Sequence, residues 1–235
     1  LEQQAEFVRQ GIWPLAGNPV PYIEDVFSTW LYTGNGSTQT INNGIDLAGK
    51  GGMVWIKNRE NVINHNLYDT NRGATNLLIS NTTAAQQTVG SSLTSFNSNG
   101  FSLSSFGNVN GFFGGYASWT FREQPKFFDI VTYTGNGSTQ TISHNLGAVP
   151  GCIIIKRTNN TSPWTVYHRS TGNTQALFLN QTVAADTNSG YWNNTTPTST
   201  QFTIGSDTSL NVSGGTYVAY LFAHNAGGFG LTGTD

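Results

Sequence analysis

Apolar and polar residues alternate with a period of two through much of this chain. "GFSLSSF" (Gly100–Phe106) and "QFTIGS" (Gln201–Ser206) switch at nearly every step, the pattern of a strand with one buried and one wet face. "MVWIK" (Met53–Lys57) and "CIIIK" (Cys152–Lys156) are short apolar runs with β-branched residues, which predict central strands buried on both faces. "YASWTF" (Tyr116–Phe121) matches "YVAYLF" (Tyr217–Phe222). In the first of these, Tyr116, Ser118 and Thr120 face one way and Ala117, Trp119 and Phe121 the other. Gly- and Asn-rich clusters punctuate the chain at intervals of roughly ten residues, the turn spacing of sandwiches and jelly rolls. Helical pattern is confined to the N-terminal "LEQQAEFVRQ", with Ala5, Phe7 or Val8, and Trp13 as apolar contacts, and to single turns near "TTAAQQ" or "TVAAD".

The pattern is written twice. "YTGNGSTQTI" occupies Tyr32–Ile41 and returns letter for letter at Tyr133–Ile142. "VWIKNR" is answered by "IIIKRT", "YDTNRGAT" by "YHRSTGNT", and "NLLISNTTAA" by "QALFLNQTVAA", at an offset between 99 and 101 throughout. Each copy is therefore a domain of about 100 residues. The predicted division is an N-terminal arm at 1–31, copy 1 at 32–129 and copy 2 at 130–235. The joint is "REQPKFFDIVT", where Pro125 breaks any continuous element and Phe127 and Phe128 are available to pack between the copies. The expected class is all-β: two tandem antiparallel β-sandwiches of jelly-roll or lectin-like type, with a short helical arm. The arm either docks on a neighbour or caps the first domain. The decapeptide reads as the opening turn and first strand of each sandwich, its Gly-Asn-Gly centre a tight turn and "STQTI" the strand leaving it.

Composition narrows the chemistry. Of 235 residues only 9% are charged, and the formal net charge is -2, so no basic field draws nucleic acid or an anionic membrane. No apolar run is long enough to span a bilayer, and the N-terminal segment lacks the apolar stretch of a signal peptide. Cys152, the single cysteine, excludes an intrachain disulfide and reads as a small buried thiol. Hydrolysis of a polysaccharide needs two carboxylates flanking a cleft. The acids within the copies form no close pair on a predicted strand, and Asp69 is replaced by His168 in copy 2. The histidines 65, 144, 168 and 224 make no zinc spacing. His144, in "SHNLGAVP", reads as a residue that caps or orients a turn. No phosphate-binding loop occurs, and no nucleophile–base–acid set assembles. No enzyme activity and no cofactor are expected.

Aromatic residues are the remaining candidates. Trp55 and Trp119 lie in core-like strands and read as packing. Trp164 in "NNTSPWTVYHR", with His168 close behind it, and Tyr191 and Trp192 in "NSGYWNNTT" lie among Asn, Ser and Thr, where copy 1 has no tryptophan. An aromatic platform beside amides and hydroxyls suits a sugar, whose CH groups stack on the ring while its hydroxyls take hydrogen bonds. Trp164, His168, Tyr191 and Trp192 are therefore the candidate carbohydrate-binding residues. The competing reading is that they cover the sandwich ends or pack against another domain.

The run "YTGNGSTQTI…GGMVWIKNR…LYDTNRGAT…LLISNTTAA…YASWTFR" closely resembles a domain of unknown function found repeatedly in structural proteins of marine tailed bacteriophages. "TISHNLGAVPGCIIIKR…YVAYLFAHNAGGFG" resembles the form that follows it, and its "HNLGxxPxxIxIK" signature is similar to that of many phage fibre modules. The resemblance covers nearly all of residues 22–230 and carries no catalytic residues. It implies a virion protein, made in the host cytoplasm and exposed on the particle, as a tail fibre or an appendage on tail or head. Taken with the aromatic candidates, the expected role is attachment to host-surface glycan. Its implied partners are other virion proteins, through the arm, and further copies of itself, a trimer being favoured. A purely structural capsid decoration or head fibre is the alternative, and a polysaccharide depolymerase a further one.

Overall fold

A computed structural model describes residues 21–227 and Phe229. The helix expected between Ala5 and Trp13 falls outside the described residues. Copy 1 opens with a 3-10 turn at Ile23–Asp25 and runs through β1 (Phe27–Thr33), β2 (Gln39–Asn42), β3 (Gly52–Asn58), β4 (Asn66–Asp69), β5 (Asn76–Ile79), β6 (Gln87–Thr88), β7 (Leu93–Asn97), β8 (Gly100–Leu103), a single helical turn α1 (Gly107–Asn110) and β9 (Gly115–Arg122). Copy 2 runs through β10 (Phe128–Thr134), β11 (Gln140–Ser143), β12 (Pro150–Arg157), β13 (Trp164–His168), β14 (Gln175–Phe178), β15 (Asp186–Thr187), α2 (Ser189–Trp192), β16 (Gln201–Ile204) and β17 (Thr216–Ala223).

The protein is all-β, and its strands pair antiparallel. In copy 1 a six-stranded sheet, β1-β9-β3-β4-β5-β6, packs on a three-stranded one, β2-β8-β7; in copy 2, β10-β17-β12-β13-β14-β15 packs on β11-β16. A jelly roll divides its eight strands between two sheets; here the sheets are unequal, and only the coarser sandwich-like architecture holds. Copy 2 has α2 where copy 1 has β7. The boundaries also shift. β1 pairs with β9 from Phe27 onward and β10 with β17 from Phe128 onward, so the large sheets claim residues assigned to the arm and to the joint.

The period of two explains how the layers stack. In copy 1, Val54, Ile56 and Tyr116 turn inward and meet Ile41, Phe101 and Leu103 of the small sheet. In copy 2, Ile153, Ile155 and Tyr217 meet Ile142, Phe202 and Ile204. The intervening positions turn outward, and there the two large sheets bury a third core: Met53, Leu67 and Leu78 from copy 1 against Phe128, Ile130, Trp164, Val218 and Tyr220 from copy 2. Each fully buried large apolar side chain contributes about 1.5–3 kcal/mol. That is why "MVWIK" and "CIIIK" carry no polar alternation: one face belongs to the module and the other to the joint. The connection between sheets is a tight turn, with Phe127 N–H and Phe128 N–H donating to Gln124 O at 3.0 and 3.1 Å.

The repeated decapeptide is not the first strand but the crossing from the large sheet to the small one. It ends β1, turns at Gly34–Ser37 and begins β2; copy 2 does the same between β10 and β11. Gly36 and Gly137 have φ of 65° and 77°, a region that costs other residues energy. A fully buried asparagine clamps each turn. Asn110 Oδ1 accepts from Asn35 N–H at 3.0 Å, and its amide donates to Ser37 O at 2.6 Å and Ser104 O at 2.9 Å. Asn211 Oδ1 accepts from Asn136 N–H at 2.8 Å, and its amide donates to Ser138 O and, at 2.7 Å, to Gly205 O. Stacked tyrosines, Tyr32 on Tyr116 and Tyr133 on Tyr217, close the same end of each copy.

Candidate functional site

The joint holds most of the buried charge. Asp69, at the end of β4, is fully buried and accepts from Arg72 Nε at 2.6 Å and from the Tyr220 hydroxyl of copy 2 at 2.6 Å. Arg72 also donates to Asn76 O at 2.9 Å and Gln86 Oε1 at 3.1 Å. Burial pushes the Tyr220 hydroxyl well above its ordinary range. Lys156, on β12, is fully buried and donates to Ser162 O at 2.7 Å and across the joint to Thr83 O at 3.0 Å. Burial, with Arg157 nearby, lowers it to about 8. Glu123 lies at the edge of the same region. Burial, then Asp129 and Asp69, raise its carboxyl to about 7, and its Oε1 is buried without a partner. Asp129 accepts from Asn145 N–H at 2.6 Å. The two other carboxylates of this group are thus occupied by structural bonds. Among the described residues no three His, Cys, Asp or Glu side chains cluster as a metal would need.

The residues expected to form a sugar platform are not brought together on the surface. Trp164 begins β13 and is fully buried in the joint, its Nε1–H donating to Ile79 O of copy 1 at 3.0 Å. Trp192, on α2, is 1% exposed within copy 2's own core, edge-on to Tyr167 and bonded to Gln175 O at 2.9 Å. Tyr191 is 6% exposed and donates to Asp186 Oδ2 at 2.6 Å. It borders a cleft of about 370 Å³ shared with Asp207 and Ser209. His168 alone is exposed, its Nδ1 accepting from Ser170 N–H at 3.2 Å. The reason is that polar neighbours do not make a loop: the tryptophans point inward while Asn, Ser and Thr beside them bond backbone. Asn180, for example, accepts from Trp164 N–H at 2.9 Å. His144 Nδ1 accepts from Leu146 N–H at 3.3 Å within its turn. Cys152 is half-buried, and burial pushes its thiol up to about 11, far from a nucleophile's range.

Two tryptophans assigned to packing instead line an open cleft. Trp55 on β3 and Trp119 on β9 are half-buried on the outward face of copy 1, edge to face with centroids 6.2 Å apart. With Lys57, His65 and Phe121 they enclose about 280 Å³. Trp55 Nε1 is buried and lacks an acceptor. Lys57 donates to Ile63 O at 3.0 Å. Burial, then Lys57, lower the imidazole of His65. The signal for this cleft was the outward phase of Trp55 and Trp119, which places them on the opposite face from Val54 and Tyr116. A strand taken as buried on both faces hides it.

These features define a class: an all-β protein of two homologous modules fused face to face through a third core, with an apolar aromatic cleft left open beside the joint. A family model described as a domain of unknown function, DUF7483, matches residues 23–234, and the chain belongs to that family. The match runs through both copies, so the family unit is the joined pair. No curated protein and no solved structure matches the chain.

Proposed function

We propose that the protein is a non-enzymatic structural module of a bacteriophage particle, a segment of a tail fibre or appendage. The observation that carries this reading is the use made of its scarce charge. Asp69, Arg72 and Lys156 are buried where copy meets copy, bonded to one another, to Tyr220 or to backbone carbonyls. Such groups specify how two bodies fit, and the Asp69 carboxylate is taken up by Arg72 and Tyr220. The phage setting rests on the resemblance of "YTGNGSTQTI" and "HNLGAVPGCIIIK" to virion modules, and the sandwich-like fold suits an appendage built from repeated β units. Trp164 and Trp192 present no ring to a host glycan, so attachment through them is not part of the proposal.

Gold-labelled antibody against the chain, applied to particles of the phage that encodes it, tests the proposal. Label on the tail or on an appendage supports it, and label spread over the head favours a decoration role. Absence of the chain from purified particles, or release of reducing ends from host capsule by the pure protein, defeats it.

A further inference from the structure

We propose that the protein associates head to tail with a second copy of itself, the β13–β14 half of one chain's copy 2 seating on the Trp55–Trp119 cleft of the next chain's copy 1. The argument rests on the joint already inside the chain. Two copies of one fold meet there, and their surfaces overlap only in part: Trp55 and Phe121 of copy 1 and their counterparts Ile154 and Phe222 of copy 2 all pack against the joint core, while the rest differs. Copy 1 contributes Met53, Leu67, Leu78 and Asp69, from β3, β4 and β5. Copy 2 contributes Ile130, Tyr220, Lys156 and Trp164, from β10, β17, β12 and the start of β13. The contact is therefore heterologous, and a heterologous contact leaves each partner with the unused half that the other has spent.

Both unused halves can be read position by position. The counterparts in copy 1 of Lys156, Trp164 and Tyr220 are Lys57, His65 and Trp119, which line the cleft. Local geometry confirms the match. Asn81 accepts from His65 N–H at 3.0 Å as Asn180 does from Trp164 N–H, and Lys57 donates to Ile63 O as Lys156 does to the equivalent Ser162 O. Lys156 finds its second acceptor, Thr83 O, in the neighbouring copy. Among the described residues Lys57 finds no acceptor in the other copy and makes instead a long 3.4 Å contact to Asn61 O of its own. On the other side, Leu67 (2% exposed), Leu78 (0%) and Ser80 (2%) correspond in copy 2 to Val166, Leu177 and Leu179, the last 42% exposed, with Val183 nearby at 59%. Leu179 thus stands open where its equivalent Ser80 is covered, beside the exposed Val183, while Val166 is 8% exposed and Leu177 half-buried. Leu31, 59% exposed on β1, pairs with Ala117 and so stands on the same outward face as Trp119. His168 and Thr171 replace Asp69 and Arg72, so the contact between chains lacks the buried ion pair and is weaker than the internal joint.

Light scattering on a size-exclusion column, across a dilution series of the whole chain, tests this. Wild type should show concentration-dependent species of more than one chain. Leu31→Asp with Trp119→Ala should lose them, and so should Leu179→Asp with Val183→Asp, each keeping the wild-type circular dichroism and melting midpoint. Leu31 and the copy 2 pair are exposed, so Leu31→Asp alone serves if Trp119→Ala loosens the fold. Mixing the two variants should restore pairs, and nothing longer, since one intact face remains on each. A wild type that stays a single chain at all concentrations overturns the proposal, as does a variant that still assembles or a mixture that forms no pairs. Trp119-dependent binding of a glycan by a single-chain species overturns it as well.

Discussion

Asp69 and His168 hold the same place in two copies of one fold, and so do His65 and Trp164. In each pair one residue is buried at the joint and the other lies at least partly open to water. By contrast, Asn110 and Asn211, or Tyr32 and Tyr133, have the same partners in both copies. Shared residues build the module, and divergent ones decide what each module touches. Of the divergence that suggested a ligand site in copy 2, Trp164 is the signature of copy 2 meeting copy 1, while Tyr191 and Trp192 fill copy 2's own core.

The comparison breaks most visibly at the tryptophan. Trp164→Ala should cost about 3–5 kcal/mol, since it empties an indole-sized space in the joint and strands Ile79 O. His65→Ala, at the equivalent but open position, should change stability by no more than about 0.5 kcal/mol. Chemical denaturation of both variants checks this, and similar costs at the two sites would mean the joint is not as closely packed as described. The acid comes next. Asp69→Ala leaves the Arg72 guanidinium buried beside Tyr220 without its counter-charge, a loss of about 3 kcal/mol. His168→Ala should be near neutral in the same measurement.

The asparagine clamps sharpen the other side of the comparison. Asn110→Ala and Asn211→Ala each leave a backbone N–H and two carbonyls unpaired, for about 2–3 kcal/mol. The two costs should agree within about 0.5 kcal/mol, since the motif is the same. A large difference, read from denaturation midpoints, would show that the copies are not equivalent modules.

The modules were legible in the sequence because period-two alternation and a verbatim repeat are local signals. "YASWTF" gives its inward and outward faces directly. The joint was not legible, because nothing local distinguishes an outward apolar side chain that meets solvent from one that meets another sheet. Trp119 and Tyr220 hold the same phase of the same strand, and only the tertiary arrangement covers one of them. The polar setting of Trp164 misled for the same reason: Asn180 Oδ1 accepts from Trp164 N–H and the Ser162 hydroxyl donates to Ser209 O, so both side chains serve the backbone.

A smaller effect comes from Glu123, half-buried at the joint, whose equivalent in copy 2, His224, is exposed. Burial, with Asp129 and Asp69 near, raises the folded-state value from 4.5 to about 7. A raised carboxyl means that the folded protein holds this proton more tightly than the unfolded chain does. The stability it lends is complete below pH 4.5 and is lost as pH rises to about 7. Water reaches part of the group, so the swing is on the order of 1 kcal/mol rather than the full linkage value. Glu123→Gln keeps the shape and removes the titration. Melting midpoints of the variant should stay flatter than wild type between pH 5 and 7, with the gain greatest at the upper end. If the two profiles run parallel, Glu123 is not the group that titrates at the joint.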